Sequence, residues 1–161
     1  MNDLTKIEKI ELSEEQLGIA IKFLKKAGQQ QYEAVALFAG QKHNSIFKVE
    51  EVILPYQTSY KLEEGLMYAV DGEELHRINQ YLFENNMELI AQIHSHPREA
   101  FHSSSDDRFP IVDTFGGISI VVPDFATGPI NLKYWAIYRL SINGNWDSLG
   151  IADINDLFKL I

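Results

Sequence analysis

Residues Glu88 to His96 restrict the fold more than any other stretch of the chain. Read as a strand, they put Leu89, Ala91, Ile93 and Ser95 on one face and Ile90, Gln92, His94 and His96 on the other. A core-like set occupies one side, and two imidazoles lie together on the opposite side. Pro97 has no N–H to donate and stops the ladder. The segment therefore needs a sheet around it and a covered face, and it ends with two histidines at the strand terminus.

The flanking patterns supply the rest of such a sheet. Ser13 to Ala27 reads as a helix, with Ser13 and Gln16 at capping-box spacing and Gly28 closing the end. Leu17, Ile21 and Leu24 share one face of it. Ala34 to Ala39 is a buried strand, Ile46 to Leu54 a second, and Gln41–Ser45 the hairpin loop between them. Pro55 to Val70 has no period and reads as a loop. Asp71 to Asn86 is a second helix, with Asp71 and Glu74 as its capping pattern and Leu75, Ile78 and Leu82 on one face. Gly117 to Val122 is a buried strand, and Leu132 to Ser141 alternates with period two up to the Asn143-Gly144 turn signal. Ile151 to Ile161 reads as a closing helix. The expectation is an α/β fold: a mixed, mostly antiparallel curved sheet with flanking helices. No linker or repeat divides residues 1–161, so one domain is expected.

Composition excludes several kinds of function. The chain has 161 residues and no cysteine, which removes disulfides, thiolate metal sites and a cysteine nucleophile. A metal would have to be held by His, Asp or Glu. The formal net charge is -9, and Lys25-Lys26 is the longest basic cluster, so nucleic acid is not an expected partner. No apolar stretch approaches the ~20 residues that span a bilayer, and the first ten residues lack a signal-peptide core. No membrane partner is expected, and a cytoplasmic location is.

A hydroxyl-and-carboxylate cluster follows the two histidines, in His102-Ser103-Ser104-Ser105-Asp106-Asp107. Two His and one carboxylate make the three protein ligands of a catalytic zinc, which keeps a fourth position for water. Zinc bound in this way lowers the pKa of its water to about 7. The same residues have an ordinary reading. Two histidines at i, i+2 arise by chance, and a Ser/Asp-rich loop is common at a helix N-terminus.

The spacing resembles that of the JAMM (MPN-plus) metalloproteases. Their motif is an upstream glutamate, then His-[Ser/Thr]-His-Pro, seven residues counted from the proline, and Ser-x-x-Asp. His94-Ser95-His96-Pro97 matches, Pro97 through Ser103 supplies the seven, and Ser104 and Asp107 take the last positions. Glu33, at the head of Glu33-Ala34-Val35-Ala36-Leu37-Phe38-Ala39-Gly40, matches the upstream glutamate. The resemblance covers residues 31 to 141. It implies the MPN/JAB fold, which is cytidine-deaminase-like, although the His/Cys/Cys ligand set of a deaminase is impossible here.

By this resemblance His94, His96 and Asp107 bind one zinc ion per chain, and Glu33 is the general base that moves a proton from water to the leaving amine. Ser104 donates a hydrogen bond to the oxyanion, a contribution of ~3 kcal/mol. Asp106, Ser103 and Ser105 flank these positions out of register. His102 reads as a loop residue or a substrate contact, His43 and His76 as structural, and Glu50, Glu51, Glu63 and Glu64 as surface charges.

The stretch Gly117 to Phe125, with Trp135 and Tyr138, resembles the bacterial branch of the family found near E1- and E2-like enzymes of ubiquitin-like conjugation. The implied activity is a deubiquitinase-like isopeptidase that cuts the peptide or isopeptide bond after the tail of a ubiquitin-like protein. Such a tail binds by adding a strand to a sheet edge. Tyr56, Tyr60, Met67 and Phe125 are the apolar contacts expected around it. Two other readings stand beside this one: a zinc peptidase that releases an amino acid or short peptide from a sulfur-carrier-like protein, and a non-catalytic MPN scaffold, although scaffolds usually lack the ligands.

Overall fold

The Ser13/Gln16 pair caps the first helix from both sides. In the computed structural model, which describes residues 3–63, 65–101 and 110–161, the Ser13 hydroxyl accepts from the Gln16 amide at 3.0 Å and the Gln16 carboxamide accepts from the Ser13 amide at 3.0 Å. Two orphan donors are satisfied together, and helix α1 (Glu14–Gln29) follows. It runs past Gly28, which is therefore not its closing residue. A Cβ on Gly28 would lie 2.5 Å from Phe125 Cβ, so the glycine allows a close approach.

Along the chain come β1 (Lys9–Leu12), α1, β2 (Val35–His43), β3 (Ile46–Ile53), β4 (Thr58–Leu62), β5 (Gly65–Ala69), α2 (Gly72–Glu84), β6 (Glu88–Ser95), β7 (Ile118–Val122), β8 (Ala136–Leu140), β9 (Trp146–Ser148), α3 (Ile151–Leu157) and β10 (Phe158–Leu160). Eight strands form one sheet in the order β10-β1-β3-β2-β6-β7-β8-β9, and β4 and β5 form a separate hairpin. The large sheet is mixed and mostly antiparallel. Its parallel pairs are β1 with β10, β1 with β3, and β6 with β7. No helix among the described residues is long and apolar enough to cross a membrane.

The sheet is covered on both faces. Leu17, Ala20, Ile21 and Leu24 of α1 and Ile154 and Leu157 of α3 pack on one side against Ala36, Phe38, Ile93 and Ile120. Ile78 and Leu82 of α2 pack on the other against Val35, Leu37 and Ala39. Burying each such side chain contributes roughly 1.5–3 kcal/mol, and this is what holds the helices on the sheet.

Several sequence expectations change. The alternation in β6 is broken: Leu89 pairs with Ala39 and Ala91 with Phe38, so Ile90 is a bulged residue. The bulge turns Ile90 toward the α1 core and Leu89 toward the α2 core. A second bulge lies between Ala39 and Gly40 in the pairing with β3. There a Cβ on Gly40 would fall 1.9 Å from the Lys48 carbonyl, so only glycine fits. The expected loop over 55–70 contains the hairpin β4–β5, whose residues are exposed or half-buried and so show no apolar period. The expected closing helix stops at Leu157, and Phe158–Leu160 pairs with β1, a short strand that the charged N-terminal segment hides.

Candidate metal centre

Pairing of β2 with β6 sets Val35 opposite His94. The register carries on beyond the strand ends. The Ser95 amide donates to the Ala34 carbonyl at 3.2 Å, and the Ala34 amide donates to Ser95 Oγ at 3.3 Å. Glu33 therefore stands opposite His96. Opposed residues of antiparallel strands project to the same face, and so do residues two apart. Glu33, His94 and His96 thus share the α2 face at one end of the sheet. All three are buried: Glu33 is 8% exposed, His94 0% and His96 5%.

The two imidazoles lie with ring centroids 5.2 Å apart. Both nitrogens of His94 are buried, and Tyr68 of β5 covers its ring at 5.6 Å. His96 Nδ1 lies 3.3 Å from the Glu99 carbonyl. A carbonyl only accepts, so Nδ1 is the donor in this contact. Metal-binding histidines are oriented by an outer hydrogen bond of this kind. Phe101 meets the His96 ring edge-on at 4.8 Å. Two buried imidazoles on the face they share with a buried carboxylate, in a chain without thiolates, are ligand types that suit a divalent cation.

Beyond His96 the backbone is held by a tight turn. The His96 amide donates to the Val122 carbonyl at 2.9 Å, and the Phe125 amide donates to the His96 carbonyl at 2.8 Å. Asp124, Phe125 and Ala126 have φ of 56°, 51° and 62°, so this turn is wound left-handed. Such a conformation costs non-glycine residues ~1–2 kcal/mol each. The turn ties the end of β7 to the segment that carries His96.

Ser104 and Asp107, the sequence candidates for oxyanion donor and third ligand, lie outside the described residues, as does His102. Among the described residues no three His, Asp or Glu side chains group closely enough to hold a metal ion. Tyr60 and Met67 face each other across the β4–β5 hairpin. Tyr56 is 78% exposed, with its ring under the Arg77 guanidinium at 5.4 Å. Phe125 is half-buried against Gly28 of α1.

Sequence reasoning missed the polar residues that brace the site. Gln92, fully buried two residues before His94, accepts from the Ile111 and Val112 amides at 2.9 Å each and donates to Ser119 Oγ at 3.1 Å. Its place on the histidine face was a usable signal, because a buried carboxamide there needs partners. Gln57 hydrogen-bonds the Val35 backbone at 2.8 and 2.9 Å, and Ser59 Oγ donates to the Glu33 carbonyl at 3.0 Å. No sequence pattern marks these two.

No family model matches the chain. The solution structure of protein DSY2949 from Desulfitobacterium hafniense is similar, with a TM-score of 0.64 at 17% identity over 94% of this chain and 92% of that one, a likeness of fold alone. A protein of Sinorhizobium fredii named probable metalloprotease y4jG is 35% identical over 160 residues, 99% of both chains. Identity at that level along the full length of both proteins is shared ancestry, and the chain belongs to the family of that metalloprotease.

Proposed function

We propose that the chain is a JAMM-type zinc peptidase that hydrolyses the amide bond after the C-terminal tail of a ubiquitin-like protein. The observation that carries this reading is the placement of Glu33 opposite His96, with His94 on the same buried face. A buried carboxylate and two imidazoles on one face at the ends of adjacent strands support the resemblance.

His94 and His96 would hold the zinc ion, with Asp107 as the third ligand. When bound, zinc supplies Lewis acidity to a water and to the scissile carbonyl. The chain's own groups do the rest. Glu33 takes a proton from the attacking water, and the water oxygen bonds to the carbonyl carbon. Glu33 then returns the proton to the amine nitrogen as the C–N bond breaks. Burial at the strand end keeps that carboxylate in place and excludes competing solvent. Ser104 would donate to the oxyanion. No covalent acyl-enzyme forms, in keeping with a chain without cysteine.

The substrate reading is supported by the hairpin. Ser59 anchors β4 to the Glu33 carbonyl and its cross-strand partner Tyr68 lies over the His94 ring, so this face of the hairpin borders the site as a surface for an extended tail, while Tyr60 and Met67 pair on the hairpin's other face. The test is cleavage of a ubiquitin-like protein fused through its C-terminus to a second protein. Zinc-loaded enzyme is expected to release both parts intact, and a chelator to stop the reaction. Turnover that survives chelation would overturn the proposal.

A further inference from the structure

Strand β2 loses its partner on the β3 side just where Glu33 lies. Leu37 pairs with Ile53, and extending that register by two residues puts Pro55 opposite Val35. Proline has no N–H and cannot return the hydrogen bond that the Val35 carbonyl needs. The chain turns away at this point toward the β4–β5 hairpin.

The Gln57 side chain fills the gap. Its Oε1 accepts from the Val35 amide at 2.8 Å, and its Nε2 donates to the Val35 carbonyl at 2.9 Å and to the Pro55 carbonyl at 3.0 Å. A carboxamide has the donor and acceptor of a peptide group, so one side chain imitates a strand neighbour. Two residues earlier the same edge of β2 is tied again, by Ser59 Oγ to the Glu33 carbonyl at 3.0 Å. Tyr56, next to Gln57, donates its amide to buried Glu74 of α2 at 2.7 Å, so the anchor is itself fixed to a helix.

We infer that Gln57 is a positioning residue: it substitutes for the missing strand and sets where the Glu33 carboxylate sits relative to His96. This rests on the reading of Glu33 as the proton carrier. The Gln57 side chain hydrogen-bonds to Val35 and Pro55 and not to β6, which leads to both histidines, so its loss should impair turnover and leave zinc binding intact.

The test compares wild type, Q57M, E33Q and Q57M/E33Q as full-length zinc-loaded proteins. The probe is a ubiquitin-like protein with a fluorogenic amine on its C-terminus. Misplacement of a catalytic group by about 1 Å can cost ~100-fold. Q57M is expected to lower kcat by at least ~10-fold with KM changed less than about threefold, and to keep zinc affinity within about twofold. In the E33Q background it should add nothing. Independently of turnover, amide exchange at Val35 should quicken by at least ~10-fold in Q57M while His94 exchange stays unchanged. Zinc affinity that falls in step with kcat, a further loss in the double variant, or unchanged Val35 exchange would each overturn the inference. E33Q with full turnover would refute the role of Glu33, while the exchange result would still decide whether Gln57 braces β2. Should Q57M not fold, S59A serves instead: kcat is expected to fall with zinc affinity held, and an unchanged kcat overturns the inference.

Discussion

Glu33, two residues before β2 begins, and His96, one residue after β6 ends, stand opposite each other, the two frames linked by hydrogen bonds between Ala34 and Ser95 at 3.2 and 3.3 Å. Both side chains are thus placed by the paired ends of adjacent strands of a covered sheet. General acid–base catalysis contributes typically 10²–10⁴-fold, so Glu33→Gln is expected to lower turnover by at least ~100-fold. Zinc content should be unchanged, because glutamine keeps the shape and the ligands remain. Elemental analysis beside a cleavage assay checks both halves of that expectation.

Loss of either imidazole should act the other way round. His94→Ala or His96→Ala removes a metal ligand and is expected to abolish zinc retention and cleavage together. A ligand that binds only the folded state raises stability, by about 2.7 kcal/mol at 100 times its Kd. Zinc should therefore raise the melting temperature of wild type and of Glu33→Gln but leave both histidine variants unmoved. Thermal scans with and without a chelator measure this.

Glu74 links the hairpin to α2 and makes stability pH-dependent. Arg77 donates to its carboxylate at 2.6 and 2.8 Å and holds its pKa below the usual carboxylate range; burial works in the opposite direction, and the Tyr56 amide adds to the lowering. A folded pKa below the unfolded one stabilises the protein above the unfolded value of about 4.3, and that contribution is lost as pH falls through the lower folded value. Glu74→Gln should therefore destabilise the protein at pH 7, and the gap to wild type should close as the solution is acidified below pH ~4. Denaturant midpoints across that range test it; a gap independent of pH would contradict the assignment.

Two backbone positions carry opposite expectations. Gly40→Ala drives a methyl into the Lys48 carbonyl at the bulge and should cost about 2–3 kcal/mol. Asp124→Gly relieves a left-handed residue in the turn behind His96 and should stabilise by about 0.5–1 kcal/mol. Urea denaturation of the two variants measures both signs.

The strands that lead to Glu33, His94 and His96 were legible because each contains a clear apolar run and Pro97 punctuates the second, although Gly40 lies inside β2, which runs on to His43. The capping box at Ser13 was legible for a similar reason, since it depends on two residues three apart. Strand β1 was not: Ile10 and Leu12 alternate for only one period before α1 begins, and their burial depends on β3 and on β10, whose pairing brings the chain's far end beside them. The hairpin β4–β5 stayed hidden because exposed strands have no hydrophobic face to show. The bracing by Gln57 and Gln92 was hidden for another reason. Glutamine is a common surface residue, and what makes these two structural is a partner 19 to 27 positions away, set by the tertiary fold.

Zinc stoichiometry measured on four purified proteins tests the metal centre most directly. Wild type and Glu33→Gln are expected to hold about one zinc per chain, and His94→Ala and His96→Ala none. A wild type that takes up no zinc, or histidine variants that retain it, would contradict a metal site at the end of β6.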